Sequence, residues 1–521
     1  MTQFQNTMFL MAWLKKLGCK NVVLCPGSRN AALIQAFEQA NFNCFSHFDE
    51  RSAAYFALGN ARGMDEWVAV CCTSGTAALN FVPAAAEAAA QKQKVIFITA
   101  DRPKGEKLSY ANQSISQINA FKDYVSQSLD LDAKNDEFLS VLPKEVVSEI
   151  PLHINVRYHE PFYEFSHEQL DVNESSLELK IGDERVNKEG VIYKPLHAFK
   201  YMLVAGYDSD ILNKAKGLEK QIPIFGDTFS PDYAYGNIGN LELYLNELTK
   251  EDFPDVLITS GTYLLSKKIR IWLKSGMLKQ HWHIDDNKHY TSPFQSQEFN
   301  RISKLNFDQL VDVIYPEKNY LRSFKDLEDK ASKRLEKYAK GNQLFNVIDR
   351  VVAQYNLDSF HCGNSMSARY GAIYASVNGN IKKLFANRGT AGIDGCISTF
   401  LGYCAAHKEK HHLLIIGDVS FKYDFNAFGV EPSLNNFTVL ILNNSGGFIF
   451  DIVKGTEKLS EGALQKMRTK RKNNFQSLAN SASIPYQRMK SDTEKPITFG
   501  LIEISLDSKL EKDKYVQLFK D

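Results

Sequence analysis

Leu413-Leu414-Ile415-Ile416-Gly417-Asp418, then a helix-like stretch, then Thr438-Val439-Leu440-Ile441-Leu442 running into Asn443-Asn444-Ser445-Gly446-Gly447, is the part of this chain whose reading decides the fold. Each apolar run is short and unbroken, as a strand buried on both faces requires. Two parallel strands joined by one right-handed crossover end side by side, and that rim is where open α/β sheets bind ligands. Asp418 and Asn444 are therefore expected to meet there. A carboxylate, an amide oxygen and the backbone carbonyl of Gly446 are hard oxygen donors suited to Mg²⁺, which leaves its other positions to phosphate oxygens and water. The neighbouring glycines permit close approach of the backbone to a diphosphate. Read as local chemistry alone, the same residues are an ordinary turn, because Asp at strand ends and Asn-Gly steps are common in loops.

Outward from this stretch, strand-like and helical runs alternate along the whole chain, which implies βαβ units and parallel sheets. Near the start come Asn21 to Cys25, a helix from about Asn30, Trp67 to Cys72, a helix over Ala77 to Gln91, and Val95 to Thr99. Leu152 to Val156 reads as the last strand of a first domain, 1–165, and the polar stretch after it, up to about Lys194, as a linker. A central Rossmann-like domain, 190–315, carries strands at Met202–Gly206, Ile222–Gly226 and Val256–Ser260. The charged, helically spaced run Lys318 to Lys340 leads to a third domain, 335–521, with further strands at Lys383–Ala386 and Phe499–Ile504. The expected fold class is α/β, three doubly wound parallel-sheet domains. With 521 residues, several cores are needed.

Composition removes several function classes. Lys plus Arg is 62 against 61 Asp plus Glu, so no overall field favours nucleic acid or an anionic membrane. The eight cysteines form no C-x-x-C pair or zinc-like grouping, and read as reduced, mostly buried thiols. Met8 to Leu14 resembles an amphipathic first helix rather than a signal peptide, and no run reaches membrane-spanning length. The cytosol is the default compartment. Walker A, G-x-G-x-x-G, G-x-S-x-G and H-E-x-x-H patterns do not occur, which leaves nucleotide hydrolase, simple dehydrogenase, serine hydrolase and zincin readings without support.

Gly417-Asp418 followed some twenty-five residues on by Asn443-Asn444 resembles the signature of thiamine diphosphate enzymes. Five further motifs of the first third, Val23-Leu24-Cys25-Pro26-Gly27-Ser28-Arg29, His47-Phe48-Asp49-Glu50-Arg51, Thr73-Ser74-Gly75-Thr76-Ala77, Thr99-Ala100-Asp101-Arg102-Pro103 and Ala111-Asn112-Gln113, resemble in that order the 2-succinyl-5-enolpyruvyl-6-hydroxy-3-cyclohexene-1-carboxylate synthase family of the menaquinone pathway. Gly363-Asn364-Ser365 with Arg369, and Asn387-Arg388-Gly389-Thr390-Ala391-Gly392-Ile393-Asp394-Gly395, agree with it. The likeness spans nearly the whole chain and is weakest in the middle domain and the tail.

The resemblance implies thiamine diphosphate held between pyrimidine-binding and diphosphate-binding domains, with Mg²⁺, or Mn²⁺ in its place, on Asp418, Asn444 and Gly446. It implies decarboxylation of 2-oxoglutarate and addition of the resulting succinyl carbanion to isochorismate. Glu50 would protonate the aminopyrimidine ring, so that its amino group serves as the base; read locally, it is an acidic residue favouring a helix N-terminus. Thr76, Asn112, Gly417, Val419 and Ser420 complete the implied cofactor set, with Ile393 propping the bent cofactor. Both substrates are dicarboxylates, which guanidinium forks suit. Ser28, Arg29, Arg102, Gln113, Lys267, Lys268, Ser365, Arg369 and Arg388 would line the substrate pocket, with Ile449 and Phe450 as an apolar wall. Taken singly, these arginines read as surface ion-pair residues, Ser28 and Ser365 as helix caps, and Ile393 as core. In the family the acid and the metal loops come from different subunits, which implies a homodimer or homotetramer with sites at the interface.

Two departures stand out. Ser266-Lys267-Lys268 replaces the family's Gly-Lys-Arg step, keeping charge and losing the planar fork. After Phe450 a basic, apparently shortened segment, Lys466 to Lys472, stands where the family has a longer lid-like stretch; it reads as a solvated face, with water exclusion then at risk. Another carboligase of the acetolactate synthase type, or a cofactor-binding relative with impaired turnover, remains open at this point. His411-His412 reads as structural, because it starts the strand whose far end carries Asp418, roughly 20 Å away at about 3.3 Å per residue.

Overall fold

A computed structural model of the chain describes every position except 1, 106–111, 136–137, 148–149, 166–178, 183–195, 208, 286–291, 313, 356, 358, 382, 454, 471, 490–492 and 521. The strands are β1 (Asn21–Leu24), β2 (Asn43–Ser46), β3 (Val68–Cys72), β4 (Val95–Asp101), β5 (Gln127–Asp132), β6 (Glu145–Val147), β7 (Leu152–Arg157), β8 (Lys180–Gly182), β9 (Leu196–Phe199), β10 (Tyr201–Ala205), β11 (Ile224–Gly226), β12 (Val256–Ser260), β13 (Leu278–Ile284), β14 (Ser296–Ile302), β15 (Ile314–Pro316), β16 (Ser359–Cys362), β17 (Lys383–Phe385), β18 (His412–Gly417), β19 (Phe437–Asn443), β20 (Tyr486–Met489) and β21 (Gly500–Ser505). They build a first sheet of order β2-β1-β3-β4-β7-β5, a second of order β11-β10-β12-β13-β14 and a third of order β17-β16-β18-β19-β21-β20. Every pairing in the three is parallel. The fold is α/β, as the alternation of runs requires.

Strand residues alternate between two different cores, which is why these runs carry no polar period. In the first sheet Val22, Leu24, Ala69, Cys71, Ile96 and Ile98 face one core, shared with α1 (Gln3–Lys16) and α2 (Ala31–Gln39). Val23, Val68, Val70, Val95 and Phe97 face the other, which also takes Leu414, Ile416, Val439, Ile441 and Leu501 of the third sheet. The first and last thirds of the chain thus share one hydrophobic core. Its middle is α3 (Glu50–Met64) crossing the helix Cys396–Ala406. A Cβ on Gly59 would lie 1.8 Å from the Thr399 carbonyl oxygen, and one on Gly402 2.0 Å from that of Phe56, so only glycine permits this approach.

Several expectations are corrected. The Ala77–Gln91 helix is two, α4 (Thr76–Asn80) and α5 (Val82–Ala90), interrupted at Phe81 just before Pro83, which cannot continue a helix from within. Helix α1 is buried nearly all round rather than amphipathic, with Asn6, Thr7, Met8, Leu10, Met11, Trp13 and Leu14 enclosed. Leu152–Arg157 is the last strand of the first sheet in sequence, as expected, and the strand the sequence reading missed is β5 at the edge beside it, which alternates polar and apolar residues because it is covered on one side. The linker expected before Lys194 falls largely outside the described residues, and its described part includes β8, paired with β6.

Candidate functional site

Strand β18 ends at Gly417, and Asp418 opens the short helix Asp418–Tyr423. β19 runs beside it in register, Gly417 opposite Leu442, so the Asn443–Gly447 turn arrives at the same rim. Asp418 is 3 % exposed. Burial pushes its carboxyl up to about 6, opposed by hydrogen bonds from the Asn473 side chain and the backbone of Val419 and Gly446. Asn443 turns to the neighbouring strand, its Nδ2 donating to Glu503 Oε1 at 2.7 Å. Asn444 Oδ1 is buried and has no hydrogen-bond partner among the described residues. Gly446 has φ +148°, and a Cβ there would lie 2.4 Å from the Arg468 carbonyl oxygen. A buried carboxylate, an orphaned amide oxygen and a loop closed to side chains fit a divalent cation carrying phosphate oxygens. Among the described residues no group of three or more His, Cys, Asp or Glu side chains could hold a metal instead.

These groups open on a cavity of about 300 Å³. Ser365, Ile393, Gly417, Asp418, Val419, Ser420, Asn444, Gly446, Ile449 and Phe450 all line it, as do Asn364, Met467 and Thr469. Ser365 stands at φ +67° ahead of the helix Met366–Val377, and its hydroxyl makes no capping bond there. Ser420 Oγ donates to the Ile393 carbonyl at 2.6 Å, tying the Ile393 loop to the Asp418 helix.

The parallel strands of the first sheet gather the other predicted residues at its own rim. Asp49 caps α3, its Oδ1 accepting from Ser52 N at 3.0 Å, so Glu50 is the first helical residue. Glu50 is near enough to the buried thiols of Cys25 and Cys72 that, after desolvation, its charge helps hold both well above the usual range. Arg102 donates to the Asn112 carbonyl through Nε at 3.0 Å and Nη2 at 2.6 Å, fixing the turn that carries Gln113 at φ +57°. Ser28 is exposed, Thr76 opens α4, and Arg29 is buried, donating to the Tyr158 carbonyl at 2.9 Å beneath the Phe162 ring. The α2 cap position belongs to Asn30, not Ser28. None of these residues lines the Asp418 cavity of its own chain. Glu50 lies instead beside the far end of the helix that Asp418 begins, where Arg51 donates to the Tyr423 carbonyl at 2.7 Å and Asn426 to Asp49 at 2.7 Å.

The middle residues lie elsewhere. Lys267 and Lys268 begin the helix Lys267–Ser275, capped by Ser266, and Lys268 Nζ sits 3.6 Å from the Phe519 ring centroid. Arg369 lines a separate crevice with Asp227, Ser266 and Tyr515. Arg388 bridges back, its Nη1 donating to Asn364 Oδ1 at 2.9 Å. His411 stacks on Tyr355 at 3.7 Å and bonds to Thr438, as a structural residue would.

The described part of the basic run is largely exposed, as a solvated face is, and it also takes part in contacts the sequence did not show. Lys466–Arg468 ends the helix Glu461–Arg468, and Met467 and Thr469 line the Asp418 cavity. The Gly447 amide donates to the Arg468 carbonyl at 2.6 Å, Arg468 pairs with Asp451 and Glu461, and Asn473 Nδ2 donates to Asp418 Oδ2 at 2.9 Å. Arg471 lies outside the described residues. These contacts were illegible because each pairs residues far apart in sequence, from 7 positions for Arg468 with Glu461 to 55 for Asn473 with Asp418. Asn364, which grips the Asn387 and Gly392 carbonyls at 2.7 and 2.5 Å, stood inside a quoted motif without a role.

Residues 7–122 match the family model described as thiamine pyrophosphate enzyme, N-terminal TPP binding domain. With a Glu-headed helix on one sheet and an Asp-Asn-Gly rim on another, this defines a thiamine diphosphate-dependent enzyme. Among curated relatives, the 2-succinyl-5-enolpyruvyl-6-hydroxy-3-cyclohexene-1-carboxylate synthase of Bacteroides fragilis is 32 % identical over 484 residues, 87 % of this chain and 85 % of that protein. Those of Flavobacterium psychrophilum (31 %, 84 % and 83 %) and Bacteroides thetaiotaomicron (30 %, 94 % and 91 %) bear the same name. The chain belongs to this synthase family.

Proposed function

We propose that the chain converts 2-oxoglutarate and isochorismate, with loss of CO2, to 2-succinyl-5-enolpyruvyl-6-hydroxy-3-cyclohexene-1-carboxylate in menaquinone biosynthesis. The observation carrying this reading is the buried Asp418 carboxylate beside the unpartnered Asn444 oxygen at the ends of adjacent parallel strands. Bound thiamine diphosphate supplies the nucleophilic carbon and the electron sink that decarboxylation needs. Asp418, Asn444 Oδ1 and the Gly446 carbonyl would hold Mg²⁺ or Mn²⁺ against its diphosphate, with Gly417, Val419 and Ser420 alongside. Glu50 would hold a proton at the aminopyrimidine ring, next to Thr76 and Asn112, and Ile393 would support the bent cofactor. Ser28, Arg29, Arg102, Gln113, Lys267, Lys268, Ser365, Arg369 and Arg388 would bind and orient the carboxylates of the substrates, while Ile449 and Phe450 exclude water.

We further propose a homodimer, or a dimer of dimers, in which the first-sheet rim of one chain faces the Asp418 cavity of its partner. Support comes from the absence of described first-sheet residues from that cavity and from the exposed Phe48 and Leu79 near Glu50 and Thr76. We also propose a division into domains 1–165, 190–315 and 335–521, supported by one large parallel sheet within each range. Eight free cysteines, seven of them buried, suit a reducing compartment such as the cytoplasm. No helix among the described residues is long and apolar enough to cross a membrane. The test is the loss of isochorismate absorbance when 2-oxoglutarate, thiamine diphosphate and Mg²⁺ are supplied; unchanged absorbance with the cofactor demonstrably bound would defeat the reading.

A further inference from the structure

We propose that Glu87 is the positioning residue of this site, holding the loop that carries Arg388 and Ile393; the inference rests on the substrate and cofactor roles given above to those two residues. Glu87 stands on α5, in the first third of the chain, and is 0 % exposed. Its Oε1 accepts the Gly389 amide at 2.8 Å, and its Oε2 accepts the Thr390 amide at 2.6 Å and the Thr390 hydroxyl at 2.5 Å. Gln91, one turn further along, also donates to Oε1. A buried carboxylate is costly unless donors replace its water, and here four do so, two of them backbone amides of another unit.

Packing alone does not call for a charge at this position. An apolar side chain would fill the space between α5 and the loop, whereas the carboxylate adds direction. Gly389 approaches α5 so closely that a Cβ would lie 2.6 Å from that of Ala90, and this closeness lets its amide reach Glu87. The same segment is gripped on its other flank by Asn364, which bonds the Asn387 and Gly392 carbonyls and accepts from Arg388. Its start is held at the Ala386 carbonyl by Tyr207 at 3.1 Å. Between the grips, Ala391 sits at φ +57°, a left-handed conformation that alanine adopts only under constraint. The charge of Glu87 also acts on Arg388: burial lowers the basicity of that guanidinium, and Asp227 and Glu87 oppose the loss. Glu87 therefore fixes where Arg388 and Ile393 stand without touching substrate or cofactor.

The experiment compares Glu87→Gln, Glu87→Asp, Arg388→Ala and the Glu87→Gln/Arg388→Ala pair by steady-state kinetics in 2-oxoglutarate, with trypsin cleavage after Arg388 as a readout of the loop itself. Glu87→Gln is expected to lower kcat/KM about 100-fold, the worth of a misplacement near 1 Å, and to speed cleavage, with Glu87→Asp recovering part of both. In the double variant the losses should fall well short of multiplying, because both act through one guanidinium. Wild-type kcat/KM in Glu87→Gln, or losses that simply multiply, overturns the proposal. If Arg388→Ala leaves KM for 2-oxoglutarate unchanged, the substrate role of Arg388 fails instead; the cleavage rate still judges Glu87, and an unchanged rate overturns its clamp.

Discussion

Asn473 Nδ2 reaches Asp418 Oδ2 at 2.9 Å, joining a tail residue to the head of the Asp418 helix across 55 positions of sequence. The same amide lies 3.4 Å from Asn443 Oδ1, so one side chain spans the two strand ends that form the rim. The tail is thereby tied to the candidate metal site.

Removing that amide frees the Asp418 carboxylate to rotate and leaves it less well solvated. Asn473→Ala is expected to weaken Mg²⁺-dependent binding of thiamine diphosphate by roughly 10- to 100-fold, the usual worth of a partner behind a metal ligand. Isothermal calorimetry checks this, and wild-type affinity would remove Asn473 from the site.

Asp418 is raised to about 6 in the folded chain, above its ordinary value of 3.8. The folded state then holds the proton more tightly than the unfolded one. Its cost to stability is absent below about pH 4, grows as pH rises, and is complete above about pH 6. Asp418→Asn should therefore stabilise the metal-free protein at pH 8 by on the order of 1 to 3 kcal/mol, less any hydrogen bond lost, and by much less at pH 4. Chemical denaturation at both pH values tests the sign; a pH-independent difference would contradict it.

Gly59→Ala forces a Cβ to 1.8 Å from the Thr399 carbonyl oxygen, which is backbone and cannot swing away. Helix α3 and the helix Cys396–Ala406 must separate, and the core shared by the first and third sheets opens. A loss of about 3 kcal/mol or more is expected, the scale of severe overpacking. Urea unfolding with a midpoint within experimental error of wild type would show that the helices are not held this closely.

If Glu50 of one chain serves the Asp418 cavity of another, Glu50→Gln and Asp418→Ala chains should complement after mixing and subunit exchange. Glu50→Gln alone is expected to be slower by about 10² to 10⁴-fold, and Asp418→Ala inactive. Random pairing in a two-fold dimer leaves about one site in four intact. Activity near a quarter of wild type places the site between chains, while no recovery after demonstrated exchange places it within one.

Much was legible because parallel strands buried on both faces leave an unmistakable trace. Leu413–Ile416 and Val439–Leu442 could only be strands, their crossover had one hand, and Asp418 and Asn444 had to share a rim. The Glu50 helix start was equally readable, since Asp49 is a capping residue ahead of an Ala-rich run. What escaped reading depended on contacts distant in sequence. Edge strand β5 alternates polar and apolar residues, the Phe81 break hides in an alanine-rich run, and the contacts of Arg468 and Asn473 lie in what reads as a solvated basic stretch.

By itself, then, the order of residues determined the α/β class, the parallel sheets, and the chemistry at the ends of their strands, because these follow from local periodicity and from chirality shared by every chain. Which distant groups each functional side chain meets was decided only by the tertiary structure. Lys268 turned to Phe519, Arg369 to the crevice of Asp227, and the buried Glu87 to the Arg388 loop because of how elements distant in sequence pack together. For Glu87 the physical reason is desolvation, since a carboxylate without water must find its donors wherever packing brings them, across distances no sequence motif spans.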